Sequence, residues 1–395
     1  MPFAGVRRPA IGVSLLKSAL KNIGISSAIH YFNLKFAERT GLELYDKISE
    51  HEYAGRSLIG ELIFAAMVFE RLSWRRENLE KILRKVFDKR SGEWTERNVK
   101  EGLEEIIGLQ RFIPSFIEEC KSEVLREKTK LVGFTSTFHQ NCASLLLAKT
   151  IKSEVNVPII FGGANCEGEM GATILEVAPW VDFVCSGEGD IAFIEFVKAF
   201  LRGRHHDHKI NGIITRKSNP LDVALTNPVM NMDDLPYPDF DDYFAAYNAS
   251  PLKNELDPNL LIETSRGCWW GEISHCTFCG LNGSTMKYRS KSIVHVLHEL
   301  QYLVNEYGKT RFQVVDNILD LKYIDQLFPK ICDIGQKVDL FYETKSNLSK
   351  DQLLLMKKGG VNQIQPGIES LSDIILRIMK KGVSALHNIQ VLKWC

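Results

Sequence analysis

From residue 131 onward the chain repeats one unit: a short apolar run closing on glycine or small hydroxyl residues, then apolar residues at helical spacing. Residues 131–134 end in Thr135, Ser136 and Thr137; 157–161 end in Gly162 and Gly163; 181–184 lead to Ser186, Gly187, Glu188, Gly189 and Asp190. Helical patterns follow at 142–153, 171–178 and 191–201. Strands alternating with helices predict an α/β fold with a doubly wound parallel sheet. In such sheets ligands sit beyond the carboxyl ends of the strands, which makes those three clusters candidate lining residues. The plainer reading of each glycine is a tight turn that any such domain needs.

Before this series, Ile11, Leu15, Leu16, Ala19, Leu20 and Ile23 recur at helical spacing until Gly24 stops the run. Residues 56–128 stay helical but heavily charged, and read as an inserted set of helices with 58–69 as its apolar member. Residues 231–240, with Asp233, Asp234, Pro236 and Pro238, predict an extended run within a linker region at 231–256. Beyond it strands are expected at 260–263, 311–315, 340–343 and 362–365, with helices at 292–307, 322–334, 350–357 and 373–379. That is the rhythm of a β/α barrel, whose working residues lie on loops after the strands. The expected division is a first domain at 1–230, a linker at 231–256 and the N-terminal part of a barrel at 257–395. A length of 395 residues with 45% apolar content suits two domains with sizeable cores.

Nine cysteines without an export signal argue against a disulfide framework and for metal or redox use. Cys120, Cys142, Cys166, Cys185, Cys332 and Cys395 are scattered and read as small hydrophobic fillers. Cys268, Cys276 and Cys279 instead form C-x7-C-x2-C just after the first strand of the second series, in a loop rich in Gly and Trp. Three thiolates on one loop can hold three irons of a [4Fe–4S] cluster and leave the fourth iron open. The alternative is a zinc site with His275 as fourth ligand. Trp269 and Trp270 pack either on the site or simply beneath the loop. His205, His206, Asp207 and His208 resemble a metal tract but follow Arg202-Gly203-Arg204, and read as a solvated loop.

Basic and acidic residues balance at 49 each, which excludes bulk attraction to nucleic acid or to an anionic membrane. Apolar runs fall short of the ~18–20 residues that span a bilayer, and no secretory signal opens the chain. The expectation is a cytoplasmic protein with no nucleic-acid and no membrane partner.

The run Glu263-Thr264-Ser265-Arg266-Gly267-Cys268-Trp269-Trp270-Gly271, followed by His275-Cys276-Thr277-Phe278-Cys279-Gly280-Leu281-Asn282-Gly283, resembles the radical SAM loop of the ribosomal-peptide (RiPP) maturation radical SAM family. The likeness extends to Gly60-Glu61-Leu62-Ile63-Phe64-Ala65, Gly133-Phe134-Thr135-Ser136-Thr137, Gly162-Gly163-Ala164-Asn165-Cys166-Glu167-Gly168, Ser186-Gly187-Glu188-Gly189-Asp190, Asp316-Asn317-Ile318-Leu319-Asp320 and Gln365-Pro366-Gly367-Ile368-Glu369-Ser370.

The resemblance implies a cobalamin-binding domain ahead of the barrel and C-methylation of a ribosomal precursor peptide. The cofactors it implies are a [4Fe–4S] cluster, S-adenosyl-L-methionine and cobalamin, with an electron donor for the cluster. On that resemblance Cys268, Cys276 and Cys279 ligate the cluster, and Gly280, Asn282 and Gly283 let backbone approach the methionine moiety. Glu343 or Lys345 meets polar groups of the nucleotide, and Glu369 and Ser370 contact its ribose; ordinary loop polarity is the plainer reading of these four. Thr135, Ser136, Thr137, Gly162, Gly163, Gly187, Glu188 and Gly189 line the cobalamin crevice. No Asp-x-His-x-x-Gly occurs, so cobalamin is expected without a histidine on cobalt. No catalytic residue is singled out.

Two departures stand out. Met1-Pro2-Phe3-Ala4-Gly5 reads as the loop after a strand, and four barrel strands are visible where radical SAM barrels use six. The expectation is a chain truncated at both ends. The alternatives are a radical SAM peptide-modifying enzyme without methyl transfer (epimerisation or rearrangement), or an inactive truncated metal-binding fragment.

Overall fold

The computed structural model describes residues 1–50, 58–69, 76–86, 96–204, 210–217, 226–281, 285–331 and 337–395. The histidine tract at 205–208, Asn282, Gly283 and Cys332 lie outside the described residues. Contacts divide the chain into two compact units. One comprises Met1–Val6, Leu20–Pro228 and Asp239–Asp257; the other comprises Arg7–Ala19, Val229–Pro238 and Pro258–Cys395.

The chain opens with α1 (Ile11–Asn22), α2 (Phe32–Thr40) and α3 (Leu42–Ser49), and the inserted helices are α4 (Ile59–Val68), α5 (Arg76–Val86), α6 (Glu96–Gln110) and α7 (Ile113–Arg126). In the first unit β1 (Val132–Thr135), β2 (Ile159–Gly162), β3 (Phe183–Cys185) and β4 (Ile213–Thr215) form one sheet in that order, with α8 (Asn141–Glu154), α9 (Glu169–Val177) and α10 (Gly189–Leu201) between them. The first three strands are parallel. β4 corrects the expectation of an all-parallel sheet: Ile213 pairs with Cys185 and Thr215 with Phe183, so it runs against its neighbour. A three-residue edge strand carries no pattern that tells its direction.

Aromatic packing fills this unit. Phe134 stacks on Phe161 at 4.9 Å, and Phe183 meets Phe196 of α10 at 4.8 Å. Phe3 is buried against Phe36, Tyr45 and Phe64. Cys120, Cys166 and Cys185 are buried, and burial pushes each thiol up to about 12, which keeps them as protonated fillers.

The expected linker at 231–256 is a second correction. It contains α11 (Asp241–Ala249), and Asp239–Asp257 folds with the first unit. Asp241 and Asp242 occupy the helix's first turn, where carboxylates are favoured. Tyr243 is buried, and its hydroxyl donates to Val6 O at 2.9 Å. The prolines stop just short of this helix instead of extending the whole stretch.

In the second unit β5 (Leu260–Ile262), β8 (Arg311–Val314), β9 (Asp339–Thr344) and β10 (Val361–Pro366) form a parallel sheet with neighbours in chain order. Leu260, Ile262, Phe312, Val314, Leu340 and Tyr342 alternate into the core, the period of two that strand geometry imposes. Between β5 and β8 lie a ladder of β6 (Ser265–Arg266) with β7 (Arg289–Ser290), the short helix α12 (Trp269–Ile273), and α13 (Ile293–Tyr307). The unit continues with α14 (Lys322–Gln326), α15 (Phe328–Ile331), α16 (Lys350–Lys358), α17 (Asp373–Ile378) and α18 (Ala385–Trp394). No helix among the described residues is long and apolar enough to cross a membrane.

Candidate metal centre

The cysteine loop leaves the carboxyl end of β5 and returns before α13. Its stem is the β6–β7 ladder, in which Ser265 pairs with Ser290 and Arg266 with Arg289. Gly267 follows at φ 81°, and a β-carbon there would lie 2.2 Å from Lys287 O, so only glycine lets the two arms close. Cys268 starts α12, its Sγ accepting from Gly271 N at 3.3 Å.

Residues 269–279 are tied to backbone both outside and within the loop. Trp269 Nε1 donates to Leu319 O and Trp270 Nε1 to Lys380 O, both at 3.0 Å. Thr277 N donates to Met379 O at 3.1 Å, and Cys279 N to Cys276 O at 3.2 Å. The two tryptophans therefore act as struts that fix the loop against residues 319 and 380.

All three thiols are free and half-buried. Burial pushes the Cys276 thiol up; Lys381 opposes this, and Cys268 and Cys279 add to it. Cys276 thus has both other sulfurs within electrostatic reach, and a positive centre bound among them would favour thiolates. That donor set fits an iron–sulfur cluster, which takes its protein ligands as thiolates. His275 is exposed. Among the described residues no three His, Cys, Asp or Glu side chains converge to hold a single metal ion.

Of the other described residues expected at this site, Lys345 stands directly against the loop and Glu369 reaches it through Lys381. Lys345, after β9, is buried with Nζ 3.2 Å from the centroid of the Trp270 ring, and it donates to Gly382 O at 3.2 Å. Burial lowers its amine to about 8, with Lys381 adding and Cys276 opposing. Glu343 is half-buried at the end of β9, and burial raises its carboxyl. Glu369 follows β10 and pairs with Lys381 at 2.9 Å. Ser370 O accepts from Asn388 Nδ2 at 2.7 Å. Gly280 is exposed on the loop, with open space where a β-carbon would sit.

Sequence reasoning missed Lys381, which touches Glu369 and faces Cys276 from about a hundred positions away. It also missed Asp316. This buried carboxylate accepts from Thr264 N at 2.7 Å, Thr264 Oγ1 at 2.5 Å and Ser265 Oγ at 2.7 Å, so it grips the start of the cysteine loop. Tyr323 adds to the grip, its hydroxyl lying 3.0 Å from Thr264 O and 2.9 Å from Lys291 O.

In the first unit, Thr135, Ser136 and Thr137 follow β1, Gly162 and Gly163 close β2, and Gly187, Glu188 and Gly189 follow β3. Ser136 is buried; the others are half-buried or exposed, so they reach the surface at this end of the sheet. Gly163 is glycine for a local reason. Its φ is 98°, and a β-carbon would lie 2.6 Å from Ser136 O. A β-carbon on Gly162 would meet only ordinary contact, at 3.7 Å from Cys185.

Residues 262–395 match the family model of the radical SAM superfamily. An uncharacterized methyltransferase of Pyrococcus horikoshii is 27% identical over 272 residues, covering 67% of this chain and 56% of that protein. Anaerobic magnesium-protoporphyrin IX monomethyl ester cyclases of Cereibacter sphaeroides and Rubrivivax gelatinosus are each 25% identical, over 56% and 71% of this chain and 36% and 53% of their own lengths. The chain thus spans about half the length, or less, of these curated relatives. Among solved structures, the cobalamin-dependent S-adenosylmethionine radical enzyme OxsB, with aqua-cobalamin and S-adenosylmethionine bound, aligns with a TM-score of 0.58. It is 18% identical, over 70% of this chain and 41% of that one, a likeness of fold. Residues 262–395 are therefore similar to radical SAM domains, a type that works with a [4Fe–4S] cluster and S-adenosylmethionine.

Proposed function

We propose that the chain is a cobalamin-dependent radical SAM enzyme that methylates a carbon of a ribosomally synthesised precursor peptide. The observation that carries this reading is the set of three free thiols, Cys268, Cys276 and Cys279, on the loop that leaves β5. The methyltransferase relative and the fold shared with OxsB support methyl transfer and cobalamin. The peptide substrate rests on the resemblance of the cysteine loop and its companion motifs alone. We read the β5–β10 sheet as part of a radical SAM barrel.

When bound, the cluster with S-adenosylmethionine supplies radical chemistry and cobalamin supplies a methyl group, which is what an unactivated carbon–hydrogen bond requires. The chain's own residues bind and position. Cys268, Cys276 and Cys279 hold the cluster; Lys345 and Lys381 set positive charge beside Cys276, which favours its thiolate. Trp269 and Trp270 fix the loop, and misplacement by even about 1 Å is costly in such reactions. Thr135, Ser136, Thr137, Gly162, Gly163, Gly187, Glu188 and Gly189 line the cobalamin end of the first unit.

With S-adenosylmethionine, a reductant and the precursor peptide, 5′-deoxyadenosine and S-adenosylhomocysteine are expected about one to one with methylated peptide, since two molecules of one cofactor are used differently. Methylated peptide without 5′-deoxyadenosine would refute the radical step. A second reading, radical modification without methyl transfer, is favoured by the two cyclase relatives. It predicts 5′-deoxyadenosine with no mass gain of a methyl group.

A further inference from the structure

Resting on the cobalamin reading, we infer that Phe138 is the side chain on which a flat conjugated face of the bound cofactor packs, either its corrin or its nucleotide base. Phe138 is 85% exposed, more than any other large hydrophobic side chain among the described residues. Its φ is 47°, a region that a bulky residue rarely adopts without strain. Neither feature benefits the fold by itself: the ring buries little, and glycine or asparagine would hold the same turn with less strain. Strained, exposed aromatics that the surroundings hold in place point to a ligand.

The surroundings hold this one closely. Phe138 O accepts from Asn165 Nδ2 at 3.0 Å, and Asn165 N donates to Ser136 O at 3.1 Å. Thr137 N donates to Gln140 Oε1 at 3.0 Å, and Gln140 Nε2 to Met1 O at 2.9 Å. Glu61, from the run Gly60-Glu61-Leu62-Ile63-Phe64-Ala65, accepts from Asn141 N at 2.8 Å and Cys142 N at 2.6 Å. Its carboxylate thereby satisfies the first amides of α8 and fixes where the loop after β1 ends. The loop is tied at both ends and to the turn after β2, with the phenyl ring as its exposed feature. It stands three residues beyond β1, on the carboxyl-end side of the sheet where ligands of this architecture sit. Flat conjugated rings pack on aromatic faces with little demand for polar partners.

The test uses the full chain and hydroxocobalamin, with binding read by absorbance and the melting temperature of the cofactor-free protein read by circular dichroism. Phe138→Ala is expected to weaken binding about tenfold, as loss of a ring-stacking partner does, whereas Phe138→Trp retains it. Phe138→Gly relieves the backbone, so it is expected to raise the melting temperature of the cofactor-free chain while weakening binding as Ala does. A residue with a purely structural role does not move stability and affinity in opposite directions. If the wild-type chain binds cobalamin and the Ala and Gly variants bind equally well, the inference is overturned and the cobalamin reading stands. If the wild-type chain binds none, the cobalamin reading itself fails and the inference falls with it.

Discussion

Replacing Cys268, Cys276 and Cys279 together by Ala is expected to abolish incorporation of a [4Fe–4S] cluster on anaerobic reconstitution, and with it all formation of 5′-deoxyadenosine. Cys120→Ala is expected to change neither. The contrast follows from position. The three loop thiols are half-buried on one backbone excursion, and Cys276 senses both others. Cys120 is buried in α7, where burial holds the thiol at about 12 and out of reach of metal. Clusters of this kind are bound through thiolates, and Ala offers no replacement ligand. Iron and sulfide analysis with electron paramagnetic resonance of the reduced protein measures the effect. Stoichiometric zinc in place of iron in the wild-type chain, with no cluster signal, would restore the zinc alternative.

Asp316→Ala is expected to destabilise the second unit by about 3 kcal/mol or more, because it strips one acceptor from each of three buried donors at roughly 1–3 kcal/mol apiece. Thr264 N has no way to turn elsewhere, while the Thr264 and Ser265 hydroxyls can partly rotate. Cluster incorporation should fall with stability, since Ser265 is the first stem residue of the cysteine loop.

Asp316→Asn keeps the shape, and its amide can donate to the same hydroxyls, so it is expected to fold. The pair also separates by pH. Burial pushes the Asp316 carboxyl up to about 6, against the pull of its hydrogen bonds from Thr264 and Ser265. A folded pKa above the unfolded value of about 3.9 means the native state holds a proton that the unfolded chain releases. This contribution is fully present below about pH 4 and is lost as pH rises through about 6. Urea unfolding from pH 4 to pH 7 should show the wild type losing stability relative to Asp316→Asn. Parallel curves would mean that Asp316 is ionised throughout.

The alternation of strand and helix was legible because each strand is an apolar run closed by a turn residue, and β1, β2, β3, β5, β8, β9 and β10 lie where that rhythm puts them. What escaped was either too short or too distant to leave a pattern. β6 and β7 have two residues each, and β4 three. α11 hid behind two prolines whose restriction ends before Asp241. Asp316 was visible only as part of a family likeness, since its partners Thr264 and Ser265 lie 52 and 51 positions earlier.

The cysteine spacing was the strongest sequence signal because its three donors share one loop and need no long-range folding to meet. Glycines were weaker. Gly163 has a sufficient reason in its own turn, so its presence says little about a ligand. Phe138 could not be singled out from sequence, since only the backbone angle and the exposure of its ring set it apart.

The central claim is that Cys268, Cys276 and Cys279 hold a cluster with one iron left for S-adenosylmethionine. Its most direct test is the electron paramagnetic resonance spectrum of the reduced, reconstituted chain, recorded with and without S-adenosylmethionine. The result expected is a [4Fe–4S] signal whose g-values shift when S-adenosylmethionine is added, because the added molecule binds the iron that lacks a cysteine. A cluster signal that S-adenosylmethionine leaves unchanged, or no cluster signal at all, would contradict it.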